Sequence, residues 1–200
     1  MLMSDAGRRV RRASGGRQPL VRLLRLVFAV LLLYLTPEPP VWSDTFEFSG
    51  DRTEIVLAEG RERTLLSGNA VIKSGSLEIQ ASEIELYGDG FRYAECRGGV
   101  RAEDEEEGLF IDAGEFFYDR TNDLSRAEGD VILEDRDNDL VLRAGYVESR
   151  EGGALLLAQI AVRIFRDDLT ARAQFLRYRR SESTLELSGF PVVYWKGDEY

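Results

Sequence analysis

One eight-residue template returns along this chain at nearly constant spacing, and that constrains the fold more than any other feature. Residues 77–84 read Leu-Glu-Ile-Gln-Ala-Ser-Glu-Ile and 109–116 read Leu-Phe-Ile-Asp-Ala-Gly-Glu-Phe. Residues 140–147 read Leu-Val-Leu-Arg-Ala-Gly-Tyr-Val, and 169–176 read Leu-Thr-Ala-Arg-Ala-Gln-Phe-Leu. A looser copy opens the series at 46–53. Counted at the small residue (Gly50, Ala81, Ala113, Ala144, Ala173), the steps are 31, 32, 31 and 29. A second series runs between the first, at Gly68, Gly98, Gly129, Ala158 and Gly189, with steps of 30, 31, 29 and 31. Two series that keep one period predict a repeat architecture in which each unit buries its face against the next.

Within the template, Leu77, Ile79 and Ala81 fall on one side and Glu78, Gln80 and Ser82 on the other. That is the period of a strand with one dry face. After the small residue the next apolar position comes three on, at Ile84, Phe116, Val147 and Leu176. A slip of one residue at the same place in every copy predicts a bulge or corner, and a small side chain suits a bend where backbones approach closely. Each repeat is therefore expected to bend at its Ala or Gly and continue as a second strand. Around the second series the apolar positions lie two before and two and four after the marker. They are Leu66, Ala70 and Ile72, then Cys96, Val100 and Ala102, then Ala127, Val131 and Leu133. Leu156, Ile160 and Val162 follow, then Leu187, Pro191 and Val193, and the reading places each marker on the apolar face.

Turn chemistry fills the gaps. Residues 73–76, 103–108 and 135–139 read as hairpin loops at one end of the strands, and 87–90, 119–123 and 150–153 at the other. The expected fold class is all-β, an antiparallel meander with no helix after residue 44. In each unit the bend residue lies 13 to 15 after the marker, so Gly189 calls for a partner near position 203. The last repeat is expected to be incomplete, leaving a sheet edge ready to pair with another strand.

The chain divides by charge. Residues 1–43 hold seven arginines and two acids, whereas the remainder holds 19 basic and 34 acidic side chains. The basic start precedes an apolar run at 26–35 and then Thr36-Pro37-Glu38-Pro39-Pro40-Val41-Trp42-Ser43. This is the layout of a secretory signal, with Val41 and Ser43 at the −3 and −1 positions of cleavage before Asp44. Ten apolar residues are short for a span of roughly 20; retention as an inner-membrane anchor is the alternative. The expected organisation is a signal segment at 1–43 and a repeat domain at 44–200, exported to the periplasm. The acidic body is repelled by phosphate, which argues against a nucleic-acid partner.

Catalytic signatures are scarce. With no histidine and one cysteine, the chain lacks disulfide frameworks, Cys/His zinc sites and imidazole acid–base chemistry. Residues 135–139 resemble the start of a calcium loop, but Leu140 stands where glycine is required, so a solvated turn is expected. Residues 103–107 read as a charged loop, Cys96 as a small buried hydrophobe, and Tyr194 and Trp195 as packing residues. No cofactor, metal or enzymatic activity is expected. A sheet with one dry face must bury it; here it folds on itself and leaves an apolar furrow. If the furrow closes it is a core, and if it gapes it admits alkyl chains at about 0.8 kcal/mol per methylene.

The repeated Gly-x-Ala/Val-x-Ile and Leu-x-Ile-x-Ala-x-x-Ile/Phe elements resemble the OstA-like family, the fold of the lipopolysaccharide transport proteins LptA, LptC and the N-terminal domain of LptD. Residues 67–72 (Ser-Gly-Asn-Ala-Val-Ile) are similar to the family's Gly-Asn-Val core, and 189–198 to its Gly-x-Pro-Val-x-x-Trp element. Gly50 and Ala158 depart from the pattern. The resemblance covers roughly 45–200 and implies a folded, V-shaped jelly roll carrying lipopolysaccharide or a related glycolipid from inner to outer membrane. It implies partners of the same fold, or further copies, joined end to end through edge strands. The lipid-lining positions it implies begin with Leu66, Ala70, Ile72, Leu77, Ile79 and Ile84. They continue with Cys96, Val100, Leu109, Ile111 and Phe116, then Val131, Leu133, Leu140, Leu142 and Val147. Ile160, Val162, Leu169, Leu176, Leu187 and Val193 complete the set. The alternative is a structural or adhesive β-solenoid with a closed core and no lipid.

Overall fold

The computed structural model describes residues 46–196; the signal or anchor segment expected at 1–43 lies outside the described residues. Twelve strands make one antiparallel sheet. They are β1 (Phe46–Ser49), β2 (Arg52–Val56), β3 (Arg63–Ser74), β4 (Leu77–Tyr87), β5 (Tyr93–Asp104) and β6 (Leu109–Asp119). The rest are β7 (Leu124–Asp135), β8 (Leu140–Arg150), β9 (Leu155–Arg166), β10 (Leu169–Arg179), β11 (Thr184–Ser188) and β12 (Val192–Trp195). β3 to β10 are consecutive hairpin neighbours. At one edge β1 and β2 both pair with β3, and at the other β11 and β12 both pair with β10.

Every long strand is interrupted at the same level. β3 and β4 pair up to Ser67↔Glu83 and resume at Ala70↔Ala81, so Gly68 and Asn69 stand opposite Ser82 alone. The same break recurs between β4 and β5, β5 and β6, β6 and β7, β7 and β8, β8 and β9, and β9 and β10. On β3, β5, β7 and β9 the break is made by two successive residues with positive φ. They are Gly68 and Asn69 (72° and 45°), Gly98 and Gly99 (83° and 68°), Gly129 and Asp130, and Ile160 and Ala161 (69° and 55°). Gly189 and Phe190 repeat the pair between β11 and β12. An extra residue in one strand of a pair bends it and increases its twist. Aligned across the whole sheet, the bulges make a crease, and Gly, Asn and Asp are the residues that accept the left-handed conformation most cheaply.

The crease divides the sheet into two layers. One holds β2, β11 and residues 63–67, 83–87, 93–97, 115–119, 124–128, 146–150, 155–159 and 175–179. The other holds β1, β12 and residues 70–74, 77–81, 100–104, 109–113, 131–135, 140–144, 162–166 and 169–173. Apolar side chains of both layers form one buried cluster, from Leu66, Ile84, Cys96, Phe116, Val147 and Leu176 on one side to Ile72, Ile79, Val100, Leu133, Leu142 and Ile164 on the other. The sheet is thus folded on its own dry face, the jelly-roll arrangement expected from the repeat.

Two expectations need correction. The glycine markers sit on the outer crease rather than on the apolar face, because the left-handed pair loops outward before the alternation resumes. The fourth marker is Ile160, not Ala158. Ala158 is buried, as are Val162 and Ile164, while Ile160 is 65% exposed. A glycine-based count slides by two where the repeat has no glycine at that position. Gly145 compensates on β8: a Cβ there would lie 2.9 Å from Ile160 Cβ. The crease is crowded enough that one of the two facing residues must be small.

This pairing predicts the sign of two substitutions. A left-handed conformation costs an L residue about 1–2 kcal/mol, more for a β-branched one, whereas glycine's entropic disadvantage is about 0.5–1 kcal/mol. Ile160→Gly is therefore expected to raise stability by roughly 0.5–1 kcal/mol. Gly145→Ala is expected to lower it by about 1–3 kcal/mol through overpacking, and by much less in the Ile160→Gly background. Urea midpoints of the four proteins check this; equal costs of Gly145→Ala in both backgrounds would contradict it.

Candidate functional site

The space between the layers brings together apolar side chains of every described unit. Of the positions expected to line it, Leu66, Ala70, Ile72, Ile79, Ile84, Cys96 and Val100 are buried between the layers. So are Leu109, Ile111, Phe116, Val131, Leu133, Leu140, Leu142, Val147, Val162 and Leu176. Leu77, Leu169 and Leu187 are partly covered and pack against the same cluster. Val193, on the last described strand, pairs with buried Ala171 of β10 and is 50% exposed, since among the described residues no further strand covers that end. Ile160 faces outward, for the reason given above. Leu156, placed on the apolar face by the sequence, is buried there, while Leu86, Ala94, Tyr118, Ile164 and Tyr178, also buried, were missed. Alternation carried one step further, from Ile84 to Leu86, Phe116 to Tyr118 and Leu176 to Tyr178, reaches three of these five.

The interior is closed. The side chains of the two layers meet, and the hollow between the turns, bounded by Leu109, Ile111, Phe116 and Tyr118, has a volume of only about 50 Å³. A larger surface hollow of about 1260 Å³ lies beside β2 and the following loop. Its walls include Ile55, Leu57, Arg61, Glu85 and Glu95, so it is not part of the apolar interior. Near it, the buried hydroxyl of Thr64 has no hydrogen-bond partner. Among the described residues no group of three or more His, Cys, Asp or Glu is placed to hold a metal ion. Burial pushes the Cys96 thiol up to about 12, which leaves it protonated and inert at neutral pH.

Opposite the crease, the hairpin turns of the two layers face each other along a seam. At one end Phe91, in the turn after β4, packs on Phe46 (ring centroids 6.1 Å apart) and Phe48 (5.4 Å) of β1. The Arg120 guanidinium lies 4.6 Å from the Phe46 ring centre. Further along, Arg180 in the turn after β10 reaches across to the opposite row. Its Nε and Nη2 donate to Asp135 Oδ2 and Oδ1 at 2.9 and 3.1 Å. Its Nη1 and Nη2 also donate to Glu107 Oε2 at 3.0 Å and to the Glu107 carbonyl at 2.6 Å. Asp135 Oδ2 further accepts from Tyr178 Oη at 3.0 Å and Asn138 Nδ2 at 2.9 Å. The Asp135 side chain is 0% exposed and that of Arg180 is 9% exposed.

The turn at 135–139 is therefore not a solvated loop at its first residue. Asp135 is the anchor of a buried ion pair that the sequence gives no reason to single out, since its partner lies 45 residues on. Burial pushes the Asp135 carboxyl up, but the donors from Arg180, Asn138 and Tyr178 together hold it below the usual range. Tyr194 and Trp195, expected to pack, are exposed on the final strand.

No protein-family model matches the chain, and no curated protein sequence matches it significantly. Among solved structures it is similar to LptH, the LptA-homologous periplasmic component of the lipopolysaccharide transport device of Pseudomonas aeruginosa. The identity is 9%, the match covers 73% of this chain and 83% of that one, and the TM-score is 0.31. A match that loose does not by itself establish a common activity.

The ion pair generates a pH prediction. A carboxylate whose folded-state pKa is depressed contributes stability that is present above its unfolded pKa, near ~4, and is lost as pH falls through the folded value. Removing one partner of a buried pair costs about 3–5 kcal/mol. Asp135→Asn is expected to destabilise by roughly that amount at pH 7, and by less in acid below the usual carboxylate range, where the native carboxyl protonates. Urea unfolding against pH checks it; a mutant–wild-type difference constant down to acid pH would contradict it.

Proposed function

We propose that the protein is a periplasmic carrier of an acylated glycolipid of the lipopolysaccharide class, one segment of a bridge between inner and outer membrane. The observation that carries this reading is the apolar surface that runs without interruption between the two layers, from the β1–β2 edge to the β11–β12 edge. Among the described residues neither end is capped. Ile55 and Leu57 are exposed at one, Val193 and Trp195 at the other, and both edges offer unpaired backbone groups to a further strand. A second copy, or a partner of the same fold, added at an edge would extend the apolar surface. The basic, apolar, small-residue start of the chain supports export, and the resemblance of the repeat to the OstA-like family supports the class of cargo.

A closed-core structural module is the second reading, and the meshed interior favours it. The magnitudes favour the carrier once the seam can part. Uncoupling the Arg180–Asp135 pair at a cost of about 3 kcal/mol is offset by roughly four methylenes leaving water at ~0.8 kcal/mol each, and lipid acyl chains offer many more.

Photoactivatable residues at Ile79, Ile111 and Leu142 point between the layers, whereas Glu78 and Arg143 lie on the outer faces. Irradiation in cells is expected to attach lipid at the first three and not at the last two. Capture confined to the outer positions, or none at all, would contradict the carrier reading.

A further inference from the structure

Two different closures hold the seam, and the stretch between them is less completely sealed than the centre of the interior. At the β1 end the closure is aromatic, Phe91 on Phe46 and Phe48. At the β11 end it is ionic, Arg180 on Asp135 and Glu107. Between them lies the small hollow whose floor is Leu109, Ile111 and Phe116. Those three are slightly exposed, where Ile79, Ile84, Leu133 and Leu142 are completely covered. The turn after β8 roofs the hollow: a Cβ on Gly153 would lie 2.7 Å from Leu109 Cδ1 and 3.5 Å from Arg180 Nη1. The Arg180 backbone N–H donates to the Ala154 carbonyl at 3.0 Å, so the roof and the latch are tied to each other.

We propose that this hollow is the port through which an alkyl chain enters between the layers, and that Arg180, bound to Asp135 and Glu107 of the facing turns, is the latch that must release to admit it. The inference rests on the carrier reading and adds the route. Entry from the two sheet ends needs no separation of the turns, whereas entry at the seam does. An ion pair suits a reversible closure. Its two charges regain water when they part, while the aromatic closure at the other end would expose apolar surface and so acts as the hinge. The acidic side chains at the rim, Asp104, Glu107 and Asp123, oppose an anionic probe, so a neutral one is used.

The test locks the seam without touching its floor. Ser183 Oγ lies 3.4 Å from Asn138 Oδ1 across the two rows of turns, beside the latch. Ser183→Cys with Asn138→Cys, oxidised by diamide, ties the rows by a disulfide; native Cys96 is buried and inert and stays in place. Association of a pyrene-tagged monoacylglycerol is followed by fluorescence in stopped flow. The oxidised protein is expected to bind about tenfold more slowly than the same protein reduced, since association slows when it must wait for a conformational change. Arg180→Met is expected to bind about tenfold faster than the parent. Equal association rates for the oxidised and reduced forms, with binding retained, would overturn the port and leave the carrier reading standing. Absence of binding in every form, Arg180→Met included, would overturn both.

Discussion

The structure depends on a backbone constraint, a pair of left-handed residues placed at one level in every second strand. A pleated sheet with one dry face has no partner layer among the described residues, whose only helix is a single 3-10 turn at Arg136–Asn138. The bulge pair resolves this by turning the sheet through a crease, so that the same face meets itself. All else follows from the crease being continuous. The two half-sheets stay hydrogen-bonded to their own neighbours, the apolar positions of all units fall into one cluster, and the hairpin turns are brought together along the opposite side. The crease also explains the glycines. They are needed where the left-handed pair meets a side chain on the adjoining strand, and Gly145 shows that the small residue can stand on either side of that contact.

A sheet closed in this way has two kinds of boundary. The crease is covalent and cannot open. The seam is held by side chains alone, through Phe91 at one end and Arg180 at the other. The interior is thus a core that can be separated along one line without breaking a strand pair. In the carrier proposed above, the packed apolar surface and the path for alkyl chains are one surface in two states, and acyl chains replace the contacts between the layers that parting removes.

The sequence made the strands, the hairpin turns and the dry face legible, because each rests on local rules: alternation, turn residues and a small residue at the bend. The resemblance pointed to a folded jelly roll, and the crease agrees with it. The register of the fourth unit was not legible, since Ile160 occupies a conformation that its side chain gives no reason to expect. The latch was not legible either. Arg180 and Asp135 are ordinary charged residues in turn regions, and only the folding of the sheet places them 2.9 Å apart and out of water. Long-range pairs of this kind carry no local signal, which is why Asp135 read as part of an exposed loop.

The central claim is that the space between the layers holds lipid in the working protein. Native mass spectrometry of the full-length chain, isolated from its own cell envelope in mild detergent, tests it most directly. The account predicts a fraction of the protein carrying an additional mass equal to one acylated glycolipid, released as fatty acyl species on activation in the gas phase. A protein that shows only its bare polypeptide mass after incubation with an excess of that lipid would contradict it.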